Sequence, residues 1–343
     1  MSMFCYQCQE TMKNSGCTIN GICGKPSNVA NLQDLLVHLL KGISFWGTRG
    51  RKMGVQDDEV DFFVAQALFS TITNANFDPD RFIVLIQKAV ELRDRLKDAA
   101  QKKCSQLHRS DCPNQGPDCA FWQPQDYDLE RLLEKAVTVG VISDPDLNED
   151  IRSLRELITY GLKGISAYVD HAYILGARDG EVLAFLQEAL EATANDELSI
   201  NNLLEMVQKT GEFGLRTMAL LDQANTGTYG NPEPTQVNLG VRPGPGILVS
   251  GHDLLDLDEL LQQTDGTGVN VYTHGEMLPA NAYPAFKKYN HFVGNYGGSW
   301  WRQREEFDSF GGPILMTTNC IVPLTKNYAD RIYTTGMAGY AGV

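Results

Sequence analysis

Half of the chain's eight cysteines lie within its first 23 residues. They are Cys5, Cys8, Cys17 and Cys23, and their spacing is C-x2-C-x8-C-x5-C. Glycines at positions 16, 21 and 24 let the backbone turn closely around a bound group and point N–H groups toward it. Soft thiolates in this number are ligands for an iron-sulfur cluster or for zinc. The N-terminal segment is therefore predicted to wrap around a metal.

The spacing alone leaves more than one metal open. Zinc sites usually repeat a C-x2-C pair, whereas the second half of this pattern is C-x5-C, and the whole pattern also differs from the ferredoxin runs. A disulfide framework needs an oxidising compartment, and the N-terminus lacks the basic region and apolar run that direct secretion. This density of cysteines disfavours a chance cluster of free thiols. Iron-sulfur binding is favoured, with zinc as the alternative.

Composition indicates a soluble globular protein. A length of 343 residues predicts two or three domains with ordinary cores. The chain is 43% hydrophobic and 21% charged, and it has no apolar run long enough for a membrane span, so we expect a cytoplasmic protein without a membrane partner. A net charge of −14 disfavours binding to nucleic acid and to anionic lipid surfaces. It remains compatible with binding to a basic redox partner protein.

Helical periodicity dominates residues 27–230. Ser27 is predicted to cap a helix with one apolar stripe, which consists of Leu32, Leu35, Leu36, Leu39, Leu40 and Ile43. Further helices are predicted over residues 57–71, 82–102 behind an Asp78 cap, 128 onward, 150–175, 181–192 and 200–224. Turn residues then follow from 225 to 232. These segments predict a helical-bundle domain behind the cysteine segment.

One cysteine-containing stretch interrupts the helices. Cys104, His108, Cys112 and Cys119 lie among glycines and prolines between residues 104 and 126, which predicts a loop. Their spacing matches no common metal-site pattern. We interpret the three cysteines as exposed or half-packed thiols, with their roles left open.

From Val237 onward the pattern changes to short β-rich runs. Strands are predicted over residues 247–250, 269–273 and 314–318, with helices over 254–263 and 284–289 between them. That alternation predicts a parallel sheet. The turn at Gly244–Gly246 precedes its strand and lacks a third glycine, so it is not a dinucleotide fingerprint.

The predicted fold class is therefore α + α/β. An N-terminal iron-sulfur segment (1–26) is followed by helical bundles (27–230) and by a Rossmann-like parallel α/β domain (237–343).

Three residues of different donor type follow the predicted strands by two or three positions: His252, Glu276 and Cys320. Because ligands gather at the carboxyl ends of parallel strands, the topology predicts one shared crevice. Imidazole, carboxylate and thiolate together suit a mixed oxygen-sulfur iron centre better than an all-thiolate cubane. Taken singly, the histidine could be a loop hydrogen-bonder, the glutamate a helix cap and the cysteine a core residue.

Four motifs carry a resemblance to a known family: residues 3–11 (MFCYQCQET), 21–26 (GICGKP), 250–254 (SGHDL) and 273–278 (THGEML). The chain resembles the hybrid cluster protein family, also called prismane or hydroxylamine reductase, from Cys5 to its last residue. The resemblance implies a 4Fe-4S cluster on Cys5, Cys8, Cys17 and Cys23. It also implies that His252, Glu276 and Cys320 are three ligands of a hybrid 4Fe-2O-2S cluster. No ligand role is carried over to His274 or His291, which we expect to act as neighbours of the ligands or in structure.

The implied activity is the reduction of hydroxylamine to ammonia and water, with nitric oxide reduction also attached to the family. The setting would be cytoplasmic nitrosative-stress defence in anaerobic metabolism, with a redox partner protein as electron donor. The family's remaining hybrid-cluster ligands, three cysteines and a glutamate, come from a C-terminal domain, yet no cysteine follows Cys320 here. We therefore expect a truncated chain, inactive alone. The alternative is an iron-sulfur electron-transfer module, and a carbon-monoxide-dehydrogenase-like protein fits the N-terminal motif less well.

Overall fold

A computed structural model describes residues 3–108 and 115–343, without the side chain of His108. The chain divides into two compact units. The first consists of Met1–Thr71, Asp78–Asp170 and Arg178–Ala219, and the second of Ile72–Phe77, His171–Ala177 and Leu220–Val343. The domain boundaries predicted above stay a prediction.

Helices build the first unit. They are α1 (Ser27–Lys52), α2 (Asp58–Ser70), α3 (Pro79–His108), α4 (Leu129–Ala136), α5 (Glu149–Ile174), α6 (Gly180–Ala192) and α7 (Ile200–Tyr229), of which α5 and α7 end in the ranges of the second unit. Helix α1 packs against α2, α3, α4 and α6. Its predicted apolar stripe is confirmed, because all six side chains are fully buried in the core of this unit. That burial supplies the main driving force for the bundle.

The start of α2 is capped as its sequence indicates, whereas the start of α1 differs from the prediction. Asp57 accepts hydrogen bonds from the N–H groups two and three residues later, as a capping aspartate should. Ser27 was predicted to cap α1 but is its first helical residue instead. Pro26 takes the cap position in an extended conformation (φ −75°, ψ 158°). Proline fixes φ there and sets the direction of the chain before the helix.

Helix α7 extends past its predicted end at residue 224 and stops at Tyr229. Within this stretch the hydroxyls of Thr226 and Thr228 donate to carbonyls four residues earlier, so these turn-forming residues satisfy their polar groups inside the helix. Gly230 then ends the helix with φ +85°, a value that costs glycine little.

The loop after α3 differs from its prediction. Cys119 was expected to be exposed or half-packed, but it is buried, on a short 3-10 helix at Asp118–Ala120. Gly42 of α1 makes this possible, since a Cβ there would clash with the Cys119 carbonyl. Cys104 is disulfide-bonded and so is not a free thiol either. Cys112 and the side chain of His108 lie outside the described residues.

A parallel sheet forms the centre of the second unit. Its strands are β2 (Gly246–Ser250), β3 (Asn270–His274), β4 (Phe292–Asn295), β5 (Ile314–Met316) and β6 (Ile332–Thr334), in the order β4-β3-β2-β5-β6. Two further short strands, β1 (Asn76–Phe77) and β7 (Gly339–Tyr340), pair with each other. The helices of this part are α8 (Leu254–Thr264) and α9 (Gln303–Ser309).

The three predicted strands are confirmed, and the chain is a mixed helical and parallel-sheet α/β protein. Strands β4 and β6 were not predicted, because Phe292–Asn295 and Ile332–Thr334 are too short to show a period. The helix predicted over residues 284–289 shrinks to a single 3-10 turn at Pro284–Phe286. None of the described helices has the length and apolar character needed to cross a membrane.

We predict that Arg93→Met destabilises the first unit strongly. The Arg93 side chain is fully buried and donates hydrogen bonds to the carbonyls of Cys119 and Trp122 and to the Asp94 carboxylate, so its loss removes the donor from all three acceptors. The expected cost is about 2–4 kcal/mol of unfolding free energy, measured by chemical denaturation.

Arg95→Met is the matched control on the same helix. Arg95 pairs with Asp57 and Glu59 at the surface, so its loss should cost about 0–1 kcal/mol. Equal losses of unfolding free energy in the two variants would contradict the stabilising role of the buried Arg93 hydrogen bonds.

Candidate functional site

The carboxyl ends of three adjacent strands form the first candidate site. Ser250 at the end of β2 pairs with His274 of β3 on one side and with Met316 of β5 on the other. The chain therefore leaves the sheet from one row of three residues. His252 and Glu276 follow that row by two residues and Cys320 by four. The structure brings the three predicted residues to the same edge of the sheet.

Electrostatic and hydrogen-bond contacts link the three residues. Burial raises the pKa of the Cys320 thiol to about 12, and the Glu276 carboxylate contributes to that shift. His252 Nδ1 shares a hydrogen bond with Thr318 Oγ1 at 2.9 Å, two residues before Cys320. His252 and Cys320 are thus tied through one short segment, and Glu276 lies within electrostatic reach of the thiol.

The loop around His252 depends on a close backbone approach. Gly251 has φ +109°, and a Cβ there would lie 2.8 Å from the backbone nitrogen of Thr318. Asp253 caps α8 and donates its own N–H to Thr317 Oγ1 at 3.2 Å. These contacts hold the imidazole ring by Nδ1, and Nε2 has no hydrogen-bond partner among the described residues. A ring fixed in this way is typical of metal-binding histidines.

Desolvation keeps the His252 ring neutral. The protein around the ring lowers its pKa, first by desolvation and then through the electrostatic influence of His171. The residue as a whole is exposed to solvent. At pH 7 the lone pair on Nε2 is therefore available and reachable, as a metal ligand requires.

Cys320 is held in a strained conformation. Its φ is +77°, a left-handed value that is uncommon for a residue with a side chain. Gln303, which is almost fully buried, donates to the Cys320 carbonyl. Asn74 exchanges backbone and side-chain hydrogen bonds with Ile321 at 2.7–3.0 Å. Backbone strain held by several contacts is common at functional sites.

A buried polar network precedes Glu276. His274 is fully buried, with Nδ1 3.1 Å from Ser250 Oγ and Nε2 2.9 Å from Glu306 Oε2. Glu306 also accepts from the N–H of Gly298 at 3.0 Å. Burial lowers the pKa of His274, so the ring is neutral at pH 7. The network fixes the end of β3, while the exposed Glu276 carboxylate has no hydrogen-bond partner in the described part of the chain.

His291 lies at the other end of α8, where Nε2 is 3.0 Å from Thr264 Oγ1.

Sequence reasoning missed four supporting residues: Asn74, Gln303, Glu306 and Thr318. Only Thr318 carried a signal, since it stands two residues before Cys320. The others come from distant parts of the chain, and no local pattern marks them.

The second candidate site is the N-terminal cysteine segment. Cys5 and Cys17 form an antiparallel bridge, with N–H to carbonyl distances of 3.1 and 2.8 Å. Burial raises the pKa of Cys8, and the charges of Cys5 and Cys17 raise it further. Cys23 responds in the same way to burial and to Cys5 and Cys8. Cys5, Cys17 and Cys23 thus all lie within electrostatic range of Cys8.

Hydrogen-bond donors surround one of these sulfurs. Burial opposes ionisation of Cys17, yet N–H groups of Met12 and Ile22, the Thr11 hydroxyl and the Lys25 charge together lower its pKa. The Met12 nitrogen and the Thr11 hydroxyl lie 3.4 and 3.6 Å from Cys17 Sγ. Donors of this kind stabilise a thiolate and tune the potential of iron-sulfur clusters.

No group of three or more His, Cys, Asp or Glu side chains in residues 3–108 and 115–343 is arranged to hold a single metal ion. A cluster is a different case. Each thiolate of a four-iron cluster binds a separate iron, so its ligands stand further apart than those of one ion.

Comparison with known proteins places the chain in a family. Residues 3–343 match the profile described as "Prismane/CO dehydrogenase family". The chain belongs to the prismane/CO dehydrogenase family. This confirms the family expected from the four motifs, and the prismane/CO dehydrogenase match extends over nearly the whole chain.

Curated relatives carry one name. Proteins called hydroxylamine reductase from Natranaerobius thermophilus and Halothermothrix orenii are 57% and 58% identical over 343 residues. The alignments cover all of this chain and 61% of each relative, so the chain spans about three-fifths of their length. The match to a nickel-free carbon monoxide dehydrogenase from Thermococcus sp. AM4 covers 99% of this chain and 51% of that one, with 13% identity and a TM-score of 0.34.

We predict that Gly251→Ala loosens the crevice. The methyl group would force strain at φ +109° and press on the Thr318 backbone, which holds His252. The expected loss is about 3 kcal/mol of unfolding free energy, from left-handed strain plus overpacking.

Gly266→Ala serves as the control, because Gly266 also has a positive φ (+72°) but has open space around it. It should cost about 1–2 kcal/mol from strain alone. The difference between the two variants, measured by urea denaturation, reports the close contacts with Thr317 and Thr318 together with the greater strain at φ +109°. Equal costs for the two variants would contradict this account.

Proposed function

We propose that this chain is part of a hydroxylamine reductase, in which it holds a 4Fe-4S cluster and supplies three ligands to a hybrid iron-sulfur-oxygen cluster. The observation that carries the proposal is the convergence of His252, Glu276 and Cys320 at one sheet edge. The relatives named hydroxylamine reductase, at 57–58% identity, support it.

The N-terminal segment fits a 4Fe-4S cluster by its donor set. Cys5, Cys8, Cys17 and Cys23 would each bind one iron, and the N–H groups directed at Cys17 would stabilise its thiolate. The segment has only a short 3-10 helix at Met12–Asn14 and an isolated bridge as secondary structure. A segment of this kind gains its order from the bound group.

The crevice fits a mixed-donor centre. His252 would bind through Nε2, Cys320 through its sulfur and Glu276 through a carboxylate oxygen. Sulfur, nitrogen and oxygen donors side by side would suit an iron centre with mixed ligands. A four-iron centre needs more donors than these three, so we propose that further ligands come from outside residues 1–343.

When bound, the hybrid cluster supplies electrons and an open iron site, for the reaction NH2OH + 2 H⁺ + 2 e⁻ → NH3 + H2O. The chain's residues have separate tasks in this scheme. The exposed Glu276 carboxylate has no hydrogen bond to any residue that the structure describes, so it can move to admit hydroxylamine and carry a proton toward its oxygen. The His252 ring, held by Thr318, keeps its direction during the reaction.

Electrons would enter through the N-terminal cluster from a redox partner protein, and the net charge of −14 favours a partner with a basic surface. We place the reaction in the cytoplasm, in defence against nitrosative stress. Nitric oxide is the second candidate substrate, because it too is a small nitrogen oxide that an open iron site can bind.

An electron-transfer module is the alternative function. It is favoured by one observation: the N-terminal site has its four cysteines within this chain, whereas the crevice has three ligands. About four irons per chain with a plain cubane spectrum would support the module. More iron with a distinct high-spin signal would support the hybrid centre.

We predict that Glu276→Gln lowers hydroxylamine turnover at least 100-fold in the complete protein that contains this chain, because the amide is a poor iron ligand and cannot carry the proton. Ammonia release with a reduced dye as donor measures the rate.

Glu305→Gln, the same change on an exposed carboxylate of α9, should leave turnover unchanged. Full activity of Glu276→Gln would remove Glu276 from the mechanism. A wild-type protein that binds the clusters but releases no ammonia would favour the module.

Cys8→Ser should remove iron from the N-terminal segment and lower the melting temperature of the first unit, since metal binding contributes folding energy there. Iron analysis and thermal melting under anaerobic conditions measure both effects. Cys119→Ala is the control, because Cys119 is a free cysteine outside the segment, and it should retain full iron. Full iron and an unchanged melting temperature in Cys8→Ser would overturn the assignment.

A further inference from the structure

Two buried lysines lie beside the cysteine segment. Lys25 is 2% exposed and follows Cys23 by two residues, and Lys163 on α5 is 8% exposed. Both line a small cavity of about 50 Å³ together with Cys5, Gln7, Gln33, Asp34 and Glu156. Lysine is almost never this deeply buried unless its charge is paired.

The partners of both ammonium groups are amides. Lys25 Nζ donates to Gln33 Oε1, and Lys163 Nζ donates to Gln7 Oε1 at 3.3 Å. Within the described residues no carboxylate lies within 4.0 Å of either nitrogen, so neither lysine forms a salt bridge. Two buried cations held only by neutral oxygens cost several kcal/mol unless a negative charge lies nearby.

The carboxylates of the cavity compensate these charges only in part. Asp34 and Glu156 line the cavity and attract Lys163, but among the described residues neither carboxylate lies within 4.0 Å of an ammonium nitrogen. Lys25 and Lys163 also repel each other. The cavity also brings both cations next to the cysteine segment: Lys25 acts electrostatically on Cys8, Cys17 and Cys23, and Lys163 interacts with Cys5.

We propose that Lys25 and Lys163 are the fixed counter-charges of the N-terminal cluster and that they raise its reduction potential. The inference rests on the proposed 4Fe-4S cluster. A cluster on four thiolates is an anion that gains one more negative charge on reduction. Nearby cations therefore stabilise the reduced form more than the oxidised form. In this proposal neither lysine contacts the substrate. Both act through their charge on the reduction potential of the cluster.

The test is a redox titration of the reconstituted 343-residue chain at pH 7, followed by electron paramagnetic resonance. We expect Lys25→Met and Lys163→Met each to lower the ratio of reduced to oxidised cluster at least tenfold at a fixed potential, a shift of about 59 mV to more negative values. Iron content should stay equal to wild type, which separates this effect from loss of the cluster.

Two further variants separate the effect of the charge of Lys25 on the potential from the effect of its shape. Lys25→Arg keeps the cation and should restore a potential close to wild type. Gln33→Glu keeps Lys25 but places a carboxylate on it, so it should shift the potential in the same direction as Lys25→Met. A purely structural role for Lys25 would not produce that pair of results.

Lys13→Met is the matched control. Lys13 lies on the same segment between Cys8 and Cys17 but is exposed, so solvent and salt screen its charge. Its removal should shift the potential much less than that of either buried lysine, and this small shift should vanish at high salt. The shifts of Lys25→Met and Lys163→Met should persist there.

Unchanged potentials in both methionine variants, with iron retained, would overturn the inference and leave the proposed cluster intact. If Lys25→Met loses its iron, Lys163→Met on the separate helix α5 decides the question. A wild-type potential that follows anion concentration would also overturn the inference, because a mobile anion would then neutralise the lysines. Failure of the wild-type chain to bind a cubane would instead refute the proposed function.

Discussion

The pairing of Ser250 with both His274 and Met316 is the constraint on which the crevice depends. Parallel pairing brings three chain segments out of the sheet in one row, so side chains far apart in sequence reach the same edge. If β5 slipped by one residue, the side chains of that strand would exchange faces of the sheet and Cys320 would move away from Glu276. The hydrogen bond between His252 and Thr318 links two of those segments beyond the sheet itself.

The crevice combines strain with firm support. Cys320 has a left-handed backbone, and Gly251 approaches the Thr317–Thr318 segment so closely that a Cβ would not fit. Such features cost stability, and they persist because buried hydrogen bonds from Gln303 and Asn74 hold the Cys320–Ile321 segment. Glu276 differs, since its backbone follows a buried network while its exposed carboxylate has no hydrogen-bond partner among the described residues. In the proposed metal site it would be the ligand least restrained by its surroundings.

In the N-terminal segment, electrostatic interactions are more prominent than apolar packing. Its core contribution is small: Met3, Cys17 and Ala30 form a minor cluster apart from the main helical core. Donors are directed at Cys17, and two buried lysines lie beside the cysteines. In the proposed cluster site these positive charges would stabilise an anionic cluster, and cluster binding would then contribute to the folding of the segment.

The sequence by itself determined the elements whose signal is local. The cysteine spacing and the four motifs identified the family, the apolar stripe of α1 predicted a buried helix, and β-rich runs located β2, β3 and β5. Because parallel strands end at a common edge, the sequence also predicted that His252, Glu276 and Cys320 would converge. Only the tertiary structure decided which residues support them. Arg93 beneath the Cys119 loop, Glu306 on His274 and Lys163 beside Gln7, 156 residues away, are contacts between distant segments. A periodic pattern records which face of an element is buried, whereas the identity of the partner across that face depends on how the elements pack.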